Sequence, residues 1–518
     1  MIRAAAVSPA PVHVDRTAAE PLHRQVYRDL VQLILSGRLR PGARVPSSRT
    51  LAAELGIARN TALLALEQAA SEGYLEARHG SGTYVSSELP DVPPVAFHGR
   101  VAPGGRQPRL STRARSLLAL TNQPLATPGL LRPGEPDCTD FPFGMWARLM
   151  AEGWRAPDRG ILLGDGGAGH ARLREAISDY LAAARGVGST AGQTVIVSGI
   201  RQALAVVARL LLDPGDVVWL ENPGYPGLRG PLVATGAKLA AVEVDGEGLS
   251  LRAGRRLAPR PKLICVAPSH QYPLGMTMSV ARRLALLDYA RQVNAWIFED
   301  DYDSEWRYSG RPLAAMQGLD RDGRVLYAGT FSKILFPSIR LGYIVLPPQL
   351  VAPFLAARRA LDDQPAVLAQ PALAEFIAGG HLAAHLRRQR RRYKAKQERM
   401  LAAADRHLRG LLEVAADAGG MHLVGYLQDD LARRMSDVEA SRRAAAAGIA
   451  APPLSDHWIG RPRRQGLLLG YTAPPERQID AIVARLARAL VDRDGGSSGW
   501  QESGRASRSH AVRRIALP

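Results

Sequence analysis

Lysine is scarce in this sequence, so every candidate for lysine-dependent chemistry can be considered in turn. Only five of the 67 basic residues are lysines: Lys238, Lys262, Lys333, Lys394 and Lys396. Lys333 alone is predicted to follow a strand, at the end of the run VLYAGTFSK. Ligands of parallel α/β sheets gather beyond the carboxyl ends of strands, where a desolvated lysine is neutral enough to form a Schiff base. The alternative is a surface lysine in a loop, and the residue alone does not decide between the two.

Acidic and hydroxyl side chains follow a second predicted strand, in the run WIFEDDY over residues 296–302. Asp300 lies where a carboxylate can hold the ring nitrogen of a pyridine cofactor protonated, which keeps such a ring an electron sink. Tyr302 adds a hydroxyl two residues later. Each of these residues is by itself also consistent with an ordinary acidic loop.

Two separate stretches of the sequence predict a phosphate site. The run VSGIRQA over 197–203 predicts a strand, a glycine turn and a helix start, whose free backbone N–H groups can hold an anion. The residues of this turn are Ser198, Gly199, Ile200 and Arg201. Arg340 lies seven residues after Lys333 and can clamp the same phosphate bidentately, while Tyr225 offers an aromatic face for a ring. Taken singly, these features are also a helix cap, a surface arginine and a turn aromatic.

Short β-rich runs alternate with helical stretches from about residue 130 to 490, which predicts a mostly parallel sheet with helices on both faces. The predicted strands cover residues 194–197, 217–220, 262–267, 295–299, 325–327 and 343–346. The run from Arg387 to Arg409 is rich in arginine and predicts one long helix, whose charge is interpreted as mostly a solvated face.

The N-terminal part of the chain, residues 20–86, is predicted to be a winged helix-turn-helix domain. Apolar spacing marks a first helix that ends near Gly37, a second over Arg49–Leu55 and a third from Arg59 to Glu72. Two short strands around a Gly-rich turn then form the wing. The second helix of such a motif lies in the DNA major groove, with its N-terminal residues closest to the bases. The alternative is a winged helix that serves for protein contacts.

The remaining segments divide the chain further. Residues 87–125 are rich in proline and glycine and are predicted to be a semi-extended linker, residues 126–490 form the α/β domain, and residues 491–518 are predicted to be a disordered tail. The 518 residues carry a formal net charge of +19, which favours anionic partners without locating them. Two cysteines and no apolar run of about 18 residues predict a cytoplasmic protein with no membrane span.

The N-terminal motifs resemble the winged helix of GntR-type bacterial repressors. The matching runs are PSSRTLA over 46–52, GIARNT over 56–61, EGYL over 72–75 and GSGTYV over 80–85. In that family the matching positions contact DNA. The resemblance therefore implies that the DNA-binding residues are Arg49, Arg59, Asn60, Thr61, His79 and Gly80.

The second domain resembles the fold-type I aminotransferases, and its fusion to a winged helix resembles the MocR subgroup of GntR regulators. This resemblance implies a dimeric transcription factor that uses pyridoxal 5′-phosphate (PLP) and a small amine or amino-acid effector. Lys333 would attach the cofactor and Asp300 would contact its ring nitrogen. Tyr302 would bond its phenolic oxygen, and Tyr225 would stack on its ring. The phosphate would be held by Arg340 and the turn formed by Ser198, Gly199, Ile200 and Arg201.

Two departures from the aminotransferase pattern argue against efficient transamination. The enzymes carry Asn-Pro-x-Gly where this chain has YPLG over 272–275, preceded by Ser269-His270-Gln271. The run LLLGY over 467–471 offers no arginine for a substrate carboxylate. The leading hypothesis is thus a PLP-dependent regulator that senses an amine or amino acid. An active aminotransferase with an accessory DNA-binding domain, and a plain repressor with a degenerate cofactor domain, are the alternatives.

Overall fold

The computed structural model describes most of the chain as two compact units, one up to Pro108 and one from Arg109 onward. The described residues are 12–78, 81–89, 109–120, 129–155, 157, 159–163, 167–310, 313–363 and 365–491. The predicted tail beyond Val491, and His79 and Gly80 of the predicted wing, lie outside these ranges.

The first unit has the helices and strands of a winged helix. They are α1 (Leu22–Leu35), β1 (Arg44–Val45), α2 (Ser48–Leu55), α3 (Arg59–Ser71), β2 (Leu75–Arg78) and β3 (Gly82–Val85). The three strands form an antiparallel sheet in the order β1-β3-β2. The second helix begins at Ser48 because the Ser47 hydroxyl accepts a hydrogen bond from the Thr50 backbone N–H at 3.2 Å and so caps it.

Small side chains let the helices of this unit pack closely. The buried face of α3 consists of Ala62, Ala65, Leu66 and Ala69, which follow the three-and-four spacing of a helix. They pack in one core with Val26 and Leu30 of α1 and Leu51 of α2. Because this core is internal to the unit, the exposed start of α3 is held in place by the packing of its opposite face.

The second unit contains one large sheet and, later in the chain, a smaller three-stranded sheet. Its strands are β4 (Thr194–Val197), β5 (Val217–Asn222), β6 (Lys238–Asp245), β7 (Gly248–Leu249), β8 (Leu263–Val266), β9 (Trp296–Asp301), β10 (Val325–Thr330), β11 (Gly342–Val345), β12 (Leu412–Val414), β13 (His422–Leu427) and β14 (Gly466–Gly470). The first eight of these form the large sheet, in the order β4-β11-β10-β9-β8-β5-β6-β7. Pairings among β10, β9, β8, β5 and β6 are parallel, whereas β11 and β7 run antiparallel to their neighbours. The prediction of a mostly parallel sheet is confirmed.

Helices pack on the strands of both sheets: α8, for example, contacts β4, β10 and β11, whereas α14 and α16 contact β12 and β14. The helices of this unit are α4 (Thr112–Ala119), α5 (Phe143–Arg155), α6 (Arg159–Leu163), α7 (Ala171–Arg185), α8 (Ile200–Leu211), α9 (Arg229–Thr235), α10 (Leu251–Leu257), α11 (Val280–Val293), α12 (Pro348–Leu361), α13 (Gln370–Ala378), α14 (His381–His407), α15 (Asp429–Arg434), α16 (Asp437–Ala446) and α17 (Ile479–Val491). Successive residues of β4 belong to different cores, with Ile196 on one face and Val195 and Val197 on the other. Strands buried on both faces explain the apolar runs seen in the sequence.

Two parts of the second unit differ from the sequence prediction. The segment predicted as a linker contains α4, whose Leu117 and Arg113 lie close to Gly230 and Gly236 at the two ends of α9. The strands β12, β13 and β14 form a separate antiparallel sheet that the sequence did not predict. In both cases the elements are short, and tertiary packing stabilises them more than local sequence does.

Helix α14 confirms the predicted long helix and its mostly solvated charge, with one buried lysine as the exception. Lys396 is 1% exposed, and its Nζ lies 2.7 Å from Asp137 Oδ2 and 2.6 Å from the Thr472 carbonyl oxygen. Arg392 Nη2, one turn earlier, lies 3.1 Å from the same Asp137 oxygen. One face of the basic helix is therefore bound to the segment around Asp137. Within the described part of the chain, no helix is long and apolar enough to cross a membrane.

Candidate cofactor site and DNA-binding surface

Lys333 ends a short 3₁₀ turn, Phe331–Lys333, that directly follows β10. Its Nζ donates a hydrogen bond to the carbonyl oxygen of Gly134 at 2.7 Å. Burial lowers the pKa of Lys333, the charge of Arg132 lowers it further, and the carboxylates of Asp303 and Asp300 oppose this shift only in part. The structure thus places the lysine where the sequence predicted, with its amine shifted toward the neutral and nucleophilic form.

Asp300 lies at the carboxyl end of β9, the strand that pairs in parallel with β10. The residue is 5% exposed, and its Oδ1 has no hydrogen-bond partner among the described residues. Burial raises its pKa to about 8, and the neighbouring charges of Asp301 and Asp303 add to the shift. A buried carboxyl without a partner is costly, so this position is suited to a ligand that supplies the missing contact.

Arg340 and the N-terminus of α8 come together as predicted. A Cβ atom at Gly199, which precedes α8 and has φ = +133°, would lie 4.0 Å from both terminal nitrogens of Arg340. Arg340 itself has φ = +49°, and its guanidinium makes no hydrogen bond or ion pair with any residue that the structure describes. The Ile200 side chain belongs to the core at 9% exposure, so only its backbone can face a ligand. The helix end and the guanidinium together form an anion-binding cradle.

The rings of both predicted tyrosines pack against the ring of Tyr272. The ring of Tyr225 packs edge-on against Tyr272 at a centroid distance of 5.6 Å, and the ring of Tyr302 does so at 5.8 Å. Burial raises the pKa of Tyr225, whereas the charges of Arg201 and Arg340 lower it, which places this ring beside the anion-binding cradle. Tyr225 stays 39% exposed and thus has a face open to a ligand.

The predicted cofactor residues therefore meet at one edge of the large sheet. They follow the carboxyl ends of β4, β5, β9 and β10, as expected for an open α/β sheet. Sequence reasoning missed Gly134, which contacts Lys333, and a charged cluster of His270, Asp303 and Asp417. The signal for His270 was the altered Asn-Pro-x-Gly region, but nothing in the sequence linked it to Asp417, which lies 147 positions away.

The predicted DNA-contacting residues that the structure describes lie on the surface of the first unit. Arg59, Asn60 and Thr61 form the first turn of α3, and Arg49 lies on α2. Arg49, Arg59 and Asn60 are exposed, and their side chains make no hydrogen bond or ion pair within the described ranges. They are thus free to contact phosphates or base edges.

Two family models match the chain, one for each unit. Residues 22–85 match the bacterial regulatory proteins of the gntR family, and residues 150–455 match aminotransferase class I and II. The crystal structure of Pyrococcus horikoshii kynurenine aminotransferase, solved with PMP, covers 74% of this chain with a TM-score of 0.64 and 27% identity, and the match spans 95% of that chain. The protein is thus a DNA-binding regulator whose second domain has the fold of an aminotransferase.

Relatives that match over most of this chain and of their own length identify the subgroup to which it belongs. The probable rhizopine catabolism regulatory protein MocR of Rhizobium meliloti is 42% identical over 92% of this chain and 95% of its own length. The HTH-type transcriptional regulator TauR of Rhodobacter capsulatus is 33% identical over 90% of this chain and 96% of its own. The chain belongs to the MocR subgroup of the GntR family of transcriptional regulators.

Proposed function

We propose that this regulator binds PLP at Lys333, senses a small amine or amino acid there, and changes its affinity for double-stranded operator DNA in response. The observation that carries the proposal is the desolvated Lys333, which follows β10 at the same sheet edge as an unpartnered buried carboxyl and an anion-binding cradle. The unpartnered Oδ1 of Asp300 fits a ring nitrogen, and the cradle at Arg340 and α8 fits a phosphate.

Each of these residues has a separate role in the proposal. When bound, PLP supplies an electrophilic carbon that reacts with a primary amine. Lys333 attaches the cofactor, Asp300 holds its ring nitrogen protonated and Tyr302 bonds its phenolic oxygen. Tyr225 stacks on the ring. The phosphate is held by Arg340 and by backbone N–H groups of the turn Ser198, Gly199, Ile200 and Arg201.

Gly134 gives Lys333 a defined position whenever its amine is not attached to the cofactor. The Gly134 carbonyl accepts the hydrogen bond from Nζ, and a Cβ atom at this glycine would lie only 2.8 Å from Nζ. Gly134 also has φ = +68°, so both space and backbone conformation favour glycine. The amine of Lys333 would therefore have a ready hydrogen-bond acceptor whenever an amine effector takes its place.

The chain offers an α-amino acid no arginine at the position where aminotransferases bind the carboxylate. Leu468 occupies the middle of β14, is fully buried, and pairs with Val424 of β13. An apolar residue here binds a substrate carboxylate more weakly than an arginine would. Weaker stabilisation of a bound amino acid favours sensing over repeated turnover. Turnover with an amino acid and a keto acid would instead favour an active aminotransferase.

The proposed homodimer is supported by apolar surface on two successive helices. On α5, Phe143 and Trp154 are 55% and 40% exposed, and on α6, Leu162 and Leu163 are 61% and 68% exposed. A contiguous patch of exposed apolar side chains marks an interaction surface, and the proposal requires these four to form one. A second copy of the chain is the partner that the proposal assigns to it.

Replacing Arg59 by alanine is expected to weaken binding to a specific operator by about 1–3 kcal/mol and to relax sequence preference, because this residue lies at the start of the recognition helix. Arg49→Ala is expected to weaken binding to all DNA sequences and to lower the salt slope by about one, as for a phosphate contact. Fluorescence anisotropy with specific and scrambled duplexes at several salt concentrations measures both. Unchanged affinity in both variants would contradict the placement of the start of α3 in the major groove with α2 beside the DNA backbone.

The sensing function is tested by the reciprocity of the two binding sites. If an effector changes DNA affinity by some factor, operator DNA must change effector affinity by the same factor, which for typical coupling is about 5–150-fold. Primary amines and amino acids are titrated against the PLP-loaded protein with and without operator duplex, and the visible spectrum is followed. Equal affinities in both titrations, or many turnovers to a keto product, would favour the enzyme instead.

A further inference from the structure

His270 is a buried imidazole that joins three segments of the second unit. Its Nδ1 lies 3.0 Å from the Tyr302 hydroxyl and 3.0 Å from Asp303 Oδ2, and its Nε2 lies 3.1 Å from Asp417 Oδ2. Asp303 follows β9, whereas Asp417 precedes β13 of the C-terminal sheet. Both ring nitrogens are therefore bonded, and one of them contacts the tyrosine assigned to the cofactor.

Nearby carboxylates determine whether both ring nitrogens of His270 are protonated. Burial opposes the charged ring, but Asp303 and Asp417 together raise the pKa of His270 well above its ordinary value. The nearby ring of His422, at a centroid distance of 6.3 Å, has a lowered pKa because of its own burial and the charge on His270. The carboxylates that contact both ring nitrogens therefore favour the imidazolium form of His270, with a donor on each nitrogen.

An imidazolium on one side fixes the direction of the Tyr302 hydroxyl. Protonated Nδ1 carries one N–H, which lies 3.0 Å from both the Tyr302 oxygen and Asp303 Oδ2, and toward this nitrogen the Tyr302 oxygen can only accept. Burial and the Asp303 charge raise the pKa of Tyr302 well above its ordinary value, so this hydroxyl keeps its proton. The Tyr302 proton is then available for another acceptor.

We propose that His270 is a positioning residue: it orients the Tyr302 hydroxyl as a donor toward the phenolic oxygen of PLP, and Asp417 ties this arrangement to the C-terminal sheet. The inference rests on the proposed function, since it requires PLP at Lys333. It assigns to His270 a role through Tyr302, without contact to the cofactor.

Two glycines leave the space in which Asp417 and His270 meet. A Cβ atom at Gly420 would overlap Cε1 of His270, and one at Gly275 would overlap Oδ2 of Asp417. Both glycines have positive φ, +83° and +85°. The close approach of Asp417 to His270 therefore depends on the absence of side chains at these two positions.

The test compares His270→Phe, His270→Asn and Gly420→Ala, each loaded with PLP. Gly410→Ala is the matched control, because Gly410 has φ = +80° but no atom within 4 Å of a Cβ placed there. Both glycine variants carry the same left-handed strain. Only Gly420→Ala displaces the imidazole.

The readout is the pH midpoint at which the visible band of bound PLP shifts. The high-pH form carries the extra negative charge on the phenolic oxygen, which the Tyr302 donor and the His270 charge stabilise. Losing them raises the midpoint, and we expect His270→Phe to raise it by about one pH unit or more. Gly420→Ala should raise it in the same direction. His270→Asn, which keeps a donor near the Nδ1 position, should shift it less, and Gly410→Ala should leave it unchanged.

A second measurement needs no variant to fold. In ¹⁵N NMR spectra of the PLP-loaded wild-type protein, one histidine ring should keep both nitrogens protonated at pH 8. A neutral ring in every histidine would overturn the inference, as would unchanged midpoints in coloured His270→Phe and Gly420→Ala proteins. A wild-type protein that stays colourless with PLP would overturn the proposed function itself.

Discussion

Lys333→Ala is expected to abolish the visible absorbance that the protein gains on incubation with PLP. The reason is that the amine of Lys333 is the desolvated nucleophile at this edge of the sheet, and alanine has no amine to attach the cofactor. Absorbance spectra measure the loss, and circular dichroism checks that the fold persists. Lys262→Ala is the matched control, because Lys262 is exposed and precedes β8 at the opposite end of its strand.

Borohydride reduction of the loaded wild-type protein then decides which lysine reacted. With only five lysines in the chain, peptide mapping assigns the modified residue without ambiguity. Reduction that attaches PLP to a lysine other than Lys333, or a yellow Lys333→Ala protein, would contradict the assignment.

Lys396→Met should destabilise the second unit by about 3 kcal/mol, the lower end of the range for breaking a buried ion pair. The change leaves Asp137 buried with only the half-exposed Arg392 as a cation, and it removes the donor to the Thr472 carbonyl. All seven tryptophans of the sequence lie beyond residue 145, so tryptophan fluorescence during urea unfolding reports on the second unit alone.

The neighbouring Lys394 provides the control for that change. It lies on the same helix, is 57% exposed and makes only a 3.9 Å ion pair with Glu398. Lys394→Met should therefore change the unfolding free energy by less than about 0.5 kcal/mol. Equal effects of the two substitutions would show that the Asp137–Lys396 pair contributes nothing specific. The same pair anchors the segment that carries Gly134, so Lys396→Met should also loosen the carbonyl that holds Lys333.

The sequence predicted the position of Lys333 because lysines are few and because a strand precedes this one alone. It predicted the ends of β9 and β10 too early, since Asp300 and Asp301 pair with Ala328 and Gly329 in a register that only the sheet defines. The sequence also identified the helix-turn-helix, where caps and glycines act locally.

What could not be predicted depends on contacts between distant parts of the chain. The burial of Lys396 requires Asp137, which is 259 positions away, in a helix whose composition indicates a solvated surface. The charge on His270 requires Asp417, which local sequence gives no reason to place nearby. Both cases are buried charges, whose position follows from partners rather than from side-chain type.

The order of strands in the large sheet has a consequence for how the protein is made. Strand β4 pairs with β11, so Val197 finds its partner Gly342 only 145 positions further along the chain. At a synthesis rate of about 5–20 residues per second, the ribosome needs roughly 7–30 s to supply that partner. The winged helix ends at β3 and has a core of its own, so it is complete well before then. A chain whose translation stops between these points would carry the DNA-binding module without the sheet that is proposed to control it.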